Sequence, residues 1–272
     1  MNEKWTSGAF FTLAAIGSAV GLGNIWRFSY VAGENGGGSF ILVYLLSVAL
    51  IGLPILLLEL IAGRYFAVSL SEAFKKIGGR FTAFSLVPHA LNFIILSYYA
   101  VITGWTLSYF AYSVFGGVAP LETLSQKPEF AIPALLTLAL VAVILRSGIK
   151  DGVEKANRIL MPVFFAVLLI MLAYSFTLPG FGRAVSFLTN FGEIKISTMA
   201  AAVTQTLFSL SVGVGIMLTY AAYLKKRGGI FKYAAVISVA DTSVALLAGL
   251  VVFPIVFTYN LEPSQGPTLA FD

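Results

Sequence analysis

Charged residues make up only 11% of the 272-residue chain, whereas 58% of its residues are hydrophobic. A soluble domain of this length carries about 25% charged residues, so the composition excludes an ordinary water-soluble fold and indicates a lipid environment. The sequence has no cysteine, which excludes disulfides and thiolate metal sites, and its single histidine, His89, would have to anchor any zinc site or serine–histidine dyad.

Seven apolar runs predict membrane-spanning helices, each of which needs about 20 mostly apolar residues. In chain order they cover 8–30, 37–62, 83–114, 131–146, 157–178, 197–223 and 232–258. Helices and closed barrels alone satisfy their backbone groups in hydrocarbon, and these runs lack the alternation of barrel strands. The first run could be read as a signal peptide, but it continues past Arg27 without a small-residue cleavage signature. The sequence therefore predicts an all-α, multi-span membrane protein with one transmembrane domain over 1–272.

The lysines and arginines between the runs predict the orientation of the chain. One side of the membrane would carry thirteen of them: Lys4, Arg64, Lys75, Lys76, Arg80, Arg146, Lys150, Lys155, Arg158, Lys225, Lys226, Arg227 and Lys232. The other side would carry three: Lys127, Arg183 and Lys195. Because basic residues accumulate on the cytoplasmic side, the N-terminus is predicted to be cytoplasmic and the protein to lie in the cell (plasma or inner) membrane. The net charge of +5 is then a topology signal, and no nucleic-acid partner is predicted.

The first and the sixth runs each contain two glycines spaced two apart beside hydroxyl side chains. Residues 17–24 read GSAVGLGN and residues 209–215 read SLSVGVG. One interpretation is close packing of helices through small residues. The other is a pair of broken helices at matching positions of two inverted halves, which marks the midplane binding site of a transporter. A broken helix exposes free amides for an anion and free carbonyls for a cation, and a zwitterionic amino acid with sodium ions needs both.

The residues around the first break resemble the first-helix signature of the neurotransmitter:sodium symporter family, most closely its bacterial leucine-transporter type. The similar stretches are 19–28 (AVGLGNIWRF), 33–40 (GENGGGSF), 63–65, 98–99, 104–105 and 205–223. The resemblance implies an inverted-repeat transporter fold with broken first and sixth helices. It covers the whole chain but only the first seven of the family's roughly twelve helices, so the fold is expected to be incomplete and the chain truncated before the eighth helix.

The resemblance implies a substrate site between the two breaks. The substrate carboxylate would meet the amides of Leu22 and Gly23 and the hydroxyl of Tyr99. The amine would face the carbonyls of Ala19, Phe208 and Ser209 and the hydroxyl of Ser211. The full set of implied substrate-binding residues is Ser18, Ala19, Leu22, Gly23, Ile95, Tyr99, Phe208, Ser209, Ser211 and Val214, with Ile95, Phe208 and Val214 lining the side-chain pocket.

Two sodium sites are implied in the same region. The first ion would take the Ala19 carbonyl, the Asn24 side chain, Ser209 and the substrate's own carboxylate. The second ion would take the carbonyls of Gly17 and Val20, and the family's other ligands for it lie on an eighth helix. The second site is therefore expected to be incomplete in this chain.

Asp241 stands inside the seventh run, at about the level where animal members of the family hold a chloride ion. The counterparts of that chloride cage here resemble Tyr44, Gln205 and Ser209. A carboxylate in hydrocarbon is costly unless it meets a cation or hydrogen-bond donors. Asp241 is predicted to supply a fixed negative charge beside the first sodium, so that chloride is not required. The alternative is that Asp241 is neutral or bonds to a neighbouring helix.

The resemblance also implies gate residues. Arg27 resembles the family's outer-gate arginine, although near the end of its span it could instead snorkel to the interface. Trp5 and Tyr223 are implied at the inner gate, where the family also uses an arginine that this sequence lacks and Lys4 is the candidate substitute. Glu59 is implied to hold the unwound backbone of the sixth span.

These features predict sodium-coupled transport of a neutral, apolar amino acid by alternating access. Gly21 stands where relatives that carry monoamines have an aspartate, so the substrate is expected to bring its own carboxylate. The alternative is a truncated relative that binds ligand without moving it. No Gly-x-Ser-x-Gly pattern accompanies His89, and an enzyme is not predicted. The sequence predicts no oligomeric state.

Overall fold

The computed structural model describes residues 3–115, 131–225, 228–266 and 269. Lys127, Lys226 and Arg227, which the prediction of the orientation uses, lie outside these ranges. Helices and turns form all the regular structure of the described residues, and none of those residues is in a strand. This confirms the all-α prediction.

The α-helices follow one another along the chain with few long connections. They are α1 (Gly8–Ala19), α2 (Phe28–Glu34), α3 (Gly38–Ser47), α4 (Leu53–Phe66), α5 (Leu70–Ile77), α6 (Leu86–Phe115), α7 (Ala131–Arg146), α8 (Lys155–Ser175), α9 (Phe181–Thr189), α10 (Ile196–Ser209), α11 (Ile216–Ala222) and α12 (Ile230–Thr258). Wider π-helical turns at Gly23–Arg27, Val48–Gly52 and Ile149–Glu154 lead into α2, α4 and α8, and a 3₁₀ turn at Gly79–Ser85 leads into α6.

Several of these helices are long and apolar enough to cross a bilayer. In the described residues they are Gly38–Phe66, Gly79–Phe115, Ile149–Ser175 and Ile230–Thr258, and the bent pair Gly8–Ala19 and Gly23–Glu34 adds a fifth if it counts as one span. The predicted span 131–146 is a 16-residue helix, and the predicted span 197–223 divides into α10 and α11. The protein is a multi-pass membrane protein, and the assignment of seven spans stays a prediction.

Helix α12 lies at the centre of the packing. It contacts α1, α4, α8 and α9, and Ile237, Ala245 and Phe253 are fully buried along it. Helix α11 packs on α4, and α10 packs on α3. By contrast α7 contacts α6 and buries no residue, and its exposed side chains include Ile132, Leu135 and Val143. Apolar side chains on an outer helix are expected where the solvent is lipid.

Both predicted breaks are present. The axis bends by 50° between α1 and the helical segment that begins at Gly23. In the sixth predicted span, residues 210–215 are not helical and separate α10 from α11. Gly213 (φ +87°) and Gly215 (φ +76°) adopt left-handed backbone angles that glycine reaches without the steric cost of a Cβ. The glycine pairs thus mark broken helices, as the second interpretation of the sequence predicted, instead of helix packing alone.

Candidate functional site

The first break leaves backbone groups of both polarities at one place. Helix α1 ends at Ala19, and Val20 is extended with φ −76° and ψ 118°. The last carbonyls of a helix and the first amides of the next have no partner within either helix. The carbonyl end is negative and the amide end positive. The carbonyls of Gly17 and Ala19 and the amides of Leu22 and Gly23 stand at these two ends.

The second break lies against the first. The Ser211 hydroxyl donates to the Ser18 carbonyl at 3.3 Å, which ties residues 193 positions apart. Ser211 has a φ of +53°, unusual for a residue with a side chain. Its amide donates to the Phe208 carbonyl at 3.2 Å, so one of the carbonyls predicted to face the substrate amine already accepts a backbone bond. A carbonyl oxygen has a second lone pair available for another donor.

Glu59 on α4 holds the second break. Its Oε1 atom accepts a hydrogen bond from the Gly213 amide at 2.6 Å. The contact is the one that the resemblance implies for this glutamate.

Three polar side chains from three different spans meet beside the breaks. The Asn24 Nδ2 atom donates to Ser209 Oγ at 3.0 Å and to Asp241 Oδ1 at 2.7 Å, and Ser209 Oγ donates to Asp241 Oδ2 at 2.6 Å. Asn24 and Asp241 are fully buried, and Ser209 is 1% exposed. The side-chain oxygen of Asn24, Oδ1, accepts a hydrogen bond from the Gly21 amide at 3.0 Å, and this bond fixes the direction of the Asn24 side-chain amide. We call Asn24, Ser209 and Asp241 the polar cluster.

The polar cluster contains a carboxylate without a basic partner. Among the residues that the structure describes, the one ion pair joins Arg158 to Glu154, far along the chain from Asp241. The predicted outer-gate residue, Arg27, donates to the Gln205 side-chain oxygen instead. A buried carboxylate bonded only to neutral donors is stabilised further by a cation. Ser209 and Asp241 offer oxygen ligands of the kind that hard cations such as sodium prefer, whereas Asn24 turns its Nδ2 atom to both of them and its Oδ1 atom to the Gly21 amide.

Tyr99 and Phe208 form one wall next to Gly23. Their rings stack with centroids 6.1 Å apart, and both are half-buried. A Cβ added at Gly23 would lie 2.9 Å from the Phe208 ring and 3.2 Å from the Tyr99 hydroxyl oxygen. Glycine is therefore required for this close approach, and the Tyr99 hydroxyl is directed to the first break. Ile95, one helical turn before Tyr99, is also half-buried.

The predicted outer gate residue Arg27 covers the same wall. Its guanidinium lies 4.8 Å from the centroid of the Phe208 ring. It donates to the side-chain oxygen of Gln205, whose Nε2 atom donates to the Gly23 carbonyl at 3.2 Å. Arg27 is thus engaged inside the protein instead of snorkelling outward.

The N-terminal segment closes against the opposite end of the sixth predicted span. Trp5 is 1% exposed, and its ring nitrogen donates to the Tyr220 carbonyl at 2.9 Å. The Trp5 amide donates to the Tyr223 carbonyl at 3.2 Å. Lys4 Nζ donates to the Ala222 carbonyl at 3.0 Å. Both predicted inner-gate residues and the candidate substitute Lys4 are therefore together at one end of α11.

The predicted second sodium ligands lie in a less polar place. Val20 is 6% exposed and packs in a cluster with Met161, Leu168 and Val244. A Cβ added at Gly17 would lie 2.0 Å from the Asn157 side-chain oxygen, so that side chain would have to move. The structure brings the two carbonyl-bearing residues to the end of α1, and their role as sodium ligands stays a prediction.

One residue near the site went unnoticed in the sequence. Asn92 Nδ2 donates to the Val214 carbonyl at 2.9 Å, which joins α6 to the second break. Asn92 stands three residues before Ile95 and seven before Tyr99, a spacing that places all three on one helix face. This spacing, visible in the sequence, identifies Asn92 as a neighbour of the predicted site residues Ile95 and Tyr99.

Comparisons with known proteins show which family the chain resembles. The model of the sodium:neurotransmitter symporter family matches residues 2–120 and 121–263. The uncharacterized sodium-dependent transporter YhdH of Bacillus subtilis is 37% identical over 98% of this chain and 62% of its own length. The uncharacterized sodium-dependent transporter MJ1319 of Methanocaldococcus jannaschii is 34% identical over 93% of this chain and 55% of its own length.

A solved structure shows the same fold. The crystal structure of MhsT in complex with L-phenylalanine superimposes with a TM-score of 0.89 and 39% sequence identity, over 100% of this chain and 65% of that chain. The transporter fold that the resemblance implied is thereby confirmed. The chain spans less than two thirds of the length of these relatives. On the family match, the chain belongs to the sodium:neurotransmitter symporter family.

Proposed function

We propose that the protein is a sodium-coupled symporter of neutral, apolar amino acids that works by alternating access. The observation that carries the proposal is the polar cluster, in which Asn24, Ser209 and Asp241 converge from three helices beside two helix breaks. Such a site accepts a cation, and the free amides beside it accept a carboxylate.

A zwitterionic amino acid fits the two polarities of the breaks. Its carboxylate would accept from the Leu22 and Gly23 amides and from the Tyr99 hydroxyl, and would complete the ligands of the first sodium. That sodium would also take Asn24, Ser209 and the Ala19 carbonyl, with Asp241 supplying negative charge. The amine would face the carbonyl end of the broken helices, where the partial charge is negative.

The side chain of the substrate would lie among Ile95, Phe208 and Val214. None of these residues offers a charge partner, so an apolar side chain is favoured over an ionised one. The complex of MhsT with L-phenylalanine, a protein 39% identical to this chain, supports an apolar amino acid as ligand.

Sodium supplies the driving force of the proposed transport. At a potential near 100 mV and a roughly tenfold gradient, each ion contributes about 2.3 plus 1.4 kcal/mol. Two ions then allow about 7 kcal/mol, or roughly a 10⁵-fold gradient of a neutral solute. The second ion would use the carbonyls of Gly17 and Val20.

The two gates would open in turn. Arg27 over Phe208 would close the outer side, and Trp5 with Tyr223 would close the inner side. The excess of basic residues on the N-terminal side supports a cytoplasmic N-terminus. Lys4, bound to the Ala222 carbonyl, would then secure the cytoplasmic gate.

The proposal is tested by thermal unfolding of the purified protein with each of the twenty amino acids, in sodium and in potassium buffer. We expect leucine, phenylalanine and similar apolar amino acids to stabilise the protein in sodium, by about 2.7 kcal/mol when the ligand is at a hundred times Kd. Glutamate and lysine should not do so. Equal stabilisation in potassium would contradict sodium coupling, and binding without uptake into proteoliposomes would contradict transport.

The ligand must carry its own carboxylate, because Gly21 supplies none and the Tyr99 hydroxyl faces the first break. We therefore expect tryptophan to stabilise the protein in sodium buffer and tryptamine, its decarboxylated analogue, to have no effect. The same unfolding measurement compares the two ligands at matched concentration. Stabilisation by tryptamine equal to that by tryptophan would show that the carboxylate is not recognised.

A further inference from the structure

The hydrogen bond between Asn92 and Val214 joins the long helix α6 to the second break. Asn92 Nδ2 lies 2.9 Å from the Val214 carbonyl oxygen, and the two residues are 122 positions apart in sequence. Asn92 is half-buried on the helix face that also carries Ile95 and Tyr99. The contact therefore lies directly next to the proposed side-chain pocket.

The backbone around Val214 has little local constraint. Gly213 and Gly215 flank it on both sides, and both have left-handed φ angles, +87° and +76°. Glycine has no Cβ and rotates more freely than any other residue, so the flanking residues do not fix the direction of the Val214 side chain. Residues 210–215 also make no helix that could fix it.

Two side chains hold this segment from different helices. Glu59 on α4 accepts from the Gly213 amide at 2.6 Å, and Asn92 on α6 donates to the Val214 carbonyl at 2.9 Å. Because the Val214 carbonyl is held, the direction of the Cα–Cβ bond of Val214 is restricted as well. Asn92 thus acts on the residue that is proposed to contact the substrate side chain.

The segment has room to move if this bond is lost. A cavity of about 340 Å³ adjoins Asn92 and Val214 and is also lined by His89, Ile216 and Tyr220. Close packing would otherwise keep Val214 in place without a hydrogen bond. Beside this open space, the Asn92 bond holds the Val214 carbonyl directly, and Glu59 holds only the neighbouring Gly213 amide.

We infer that Asn92 is a positioning residue for side-chain selection: its amide holds the Val214 carbonyl and thereby sets the wall against which large apolar substrates pack. The inference rests on the proposed amino-acid site. It makes Asn92 important for leucine and phenylalanine, which reach Val214, and unimportant for alanine, which does not.

The test compares the affinities of leucine and alanine in sodium buffer, by displacement of labelled leucine from the purified protein. Asn92→Leu keeps the branching at Cγ and removes the donor, and Asn92→Asp keeps the shape and removes the donor. Both variants are expected to weaken leucine binding about threefold to tenfold, the range of one hydrogen bond, and to change alanine binding less than twofold. Their unfolding midpoints without ligand report whether they fold.

Two further variants separate positioning from general damage. Ser97→Ala removes an exposed hydroxyl that bonds to the Phe93 carbonyl of the same helix at 2.9 Å, and should leave both affinities unchanged. In the Val214→Ala background, Asn92→Leu should have no further effect on leucine binding, because its target side chain is gone.

The inference would be overturned if Asn92→Leu weakened leucine and alanine binding equally. It would also be overturned if the losses of leucine affinity in Asn92→Leu and Val214→Ala multiplied in the double variant. Either result would leave the amino-acid site intact. If the unmodified protein binds no amino acid in sodium, the proposed function fails, and the inference fails with it.

Discussion

Amino-acid binding by the unmodified protein is expected to be unchanged when chloride is replaced by gluconate at constant sodium, and the Asp241→Ser variant is expected to require chloride. The Asp241 carboxylate is fully buried, and its two oxygens accept hydrogen bonds from Asn24 and Ser209, the other two members of the polar cluster. A unit charge about 5 Å from a cation, at an effective dielectric constant of about 20, contributes about 3 kcal/mol. Its removal should therefore weaken binding in gluconate roughly a hundredfold.

Chloride is expected to rescue the serine variant because the site retains hydrogen-bond donors. The Tyr44 hydroxyl lies beside Asp241 and Ser209, is buried, and is one of the described side-chain groups that have no hydrogen-bond partner. With the carboxylate replaced by serine, an anion has both space and donors there. Asp241→Asn fills the space with a neutral amide, so we expect this variant to bind weakly in either salt.

Ser238→Ala is the matched control for Asp241. Ser238 lies three residues earlier on α12, is 3% exposed and makes no bond to the polar cluster within the described residues. Its substitution should leave binding independent of chloride. Loss of binding by the unmodified protein in gluconate would exclude charge compensation by Asp241, and Asp241 would then be neutral or bonded only to its neighbours.

Removal of the Tyr99 hydroxyl is expected to weaken leucine binding roughly ten- to a hundredfold. A hydrogen bond to a buried carboxylate is worth about 1.5–3 kcal/mol. Tyr99→Phe keeps the ring that stacks on Phe208, so the loss should come from the hydroxyl alone. Isothermal titration of the detergent-purified protein in sodium buffer measures the change.

Ile95→Val is the comparison for Tyr99→Phe. It removes one methylene from the same helix face, and such a change costs about 0.5–1.5 kcal/mol when the group is packed. Tyr99→Phe should weaken leucine binding more than Ile95→Val does. An affinity of Tyr99→Phe within about twofold of the unmodified protein would show that the carboxylate is not placed at this hydroxyl.

Much of this fold follows from local sequence. The apolar runs predict helices, and the glycine pairs Gly21/Gly23 and Gly213/Gly215 predict where two of them break. These predictions succeed because chain length, hydrophobicity and the freedom of glycine act within a few residues. The wide turn at Val48–Gly52 carries no comparable signal, and the sequence shows one continuous run across it.

The family, the helical class and the presence of a carboxylate, Asp241, inside an apolar span can all be read from the residues in order. The contacts of the polar groups cannot: Arg27 bonds to Gln205, Trp5 to the Tyr220 carbonyl and Asn92 to the Val214 carbonyl. Two of these acceptors are backbone carbonyls, which every residue has, so no residue type identifies them in advance. The partners are also more than a hundred positions apart in sequence, and only helix packing brings them together.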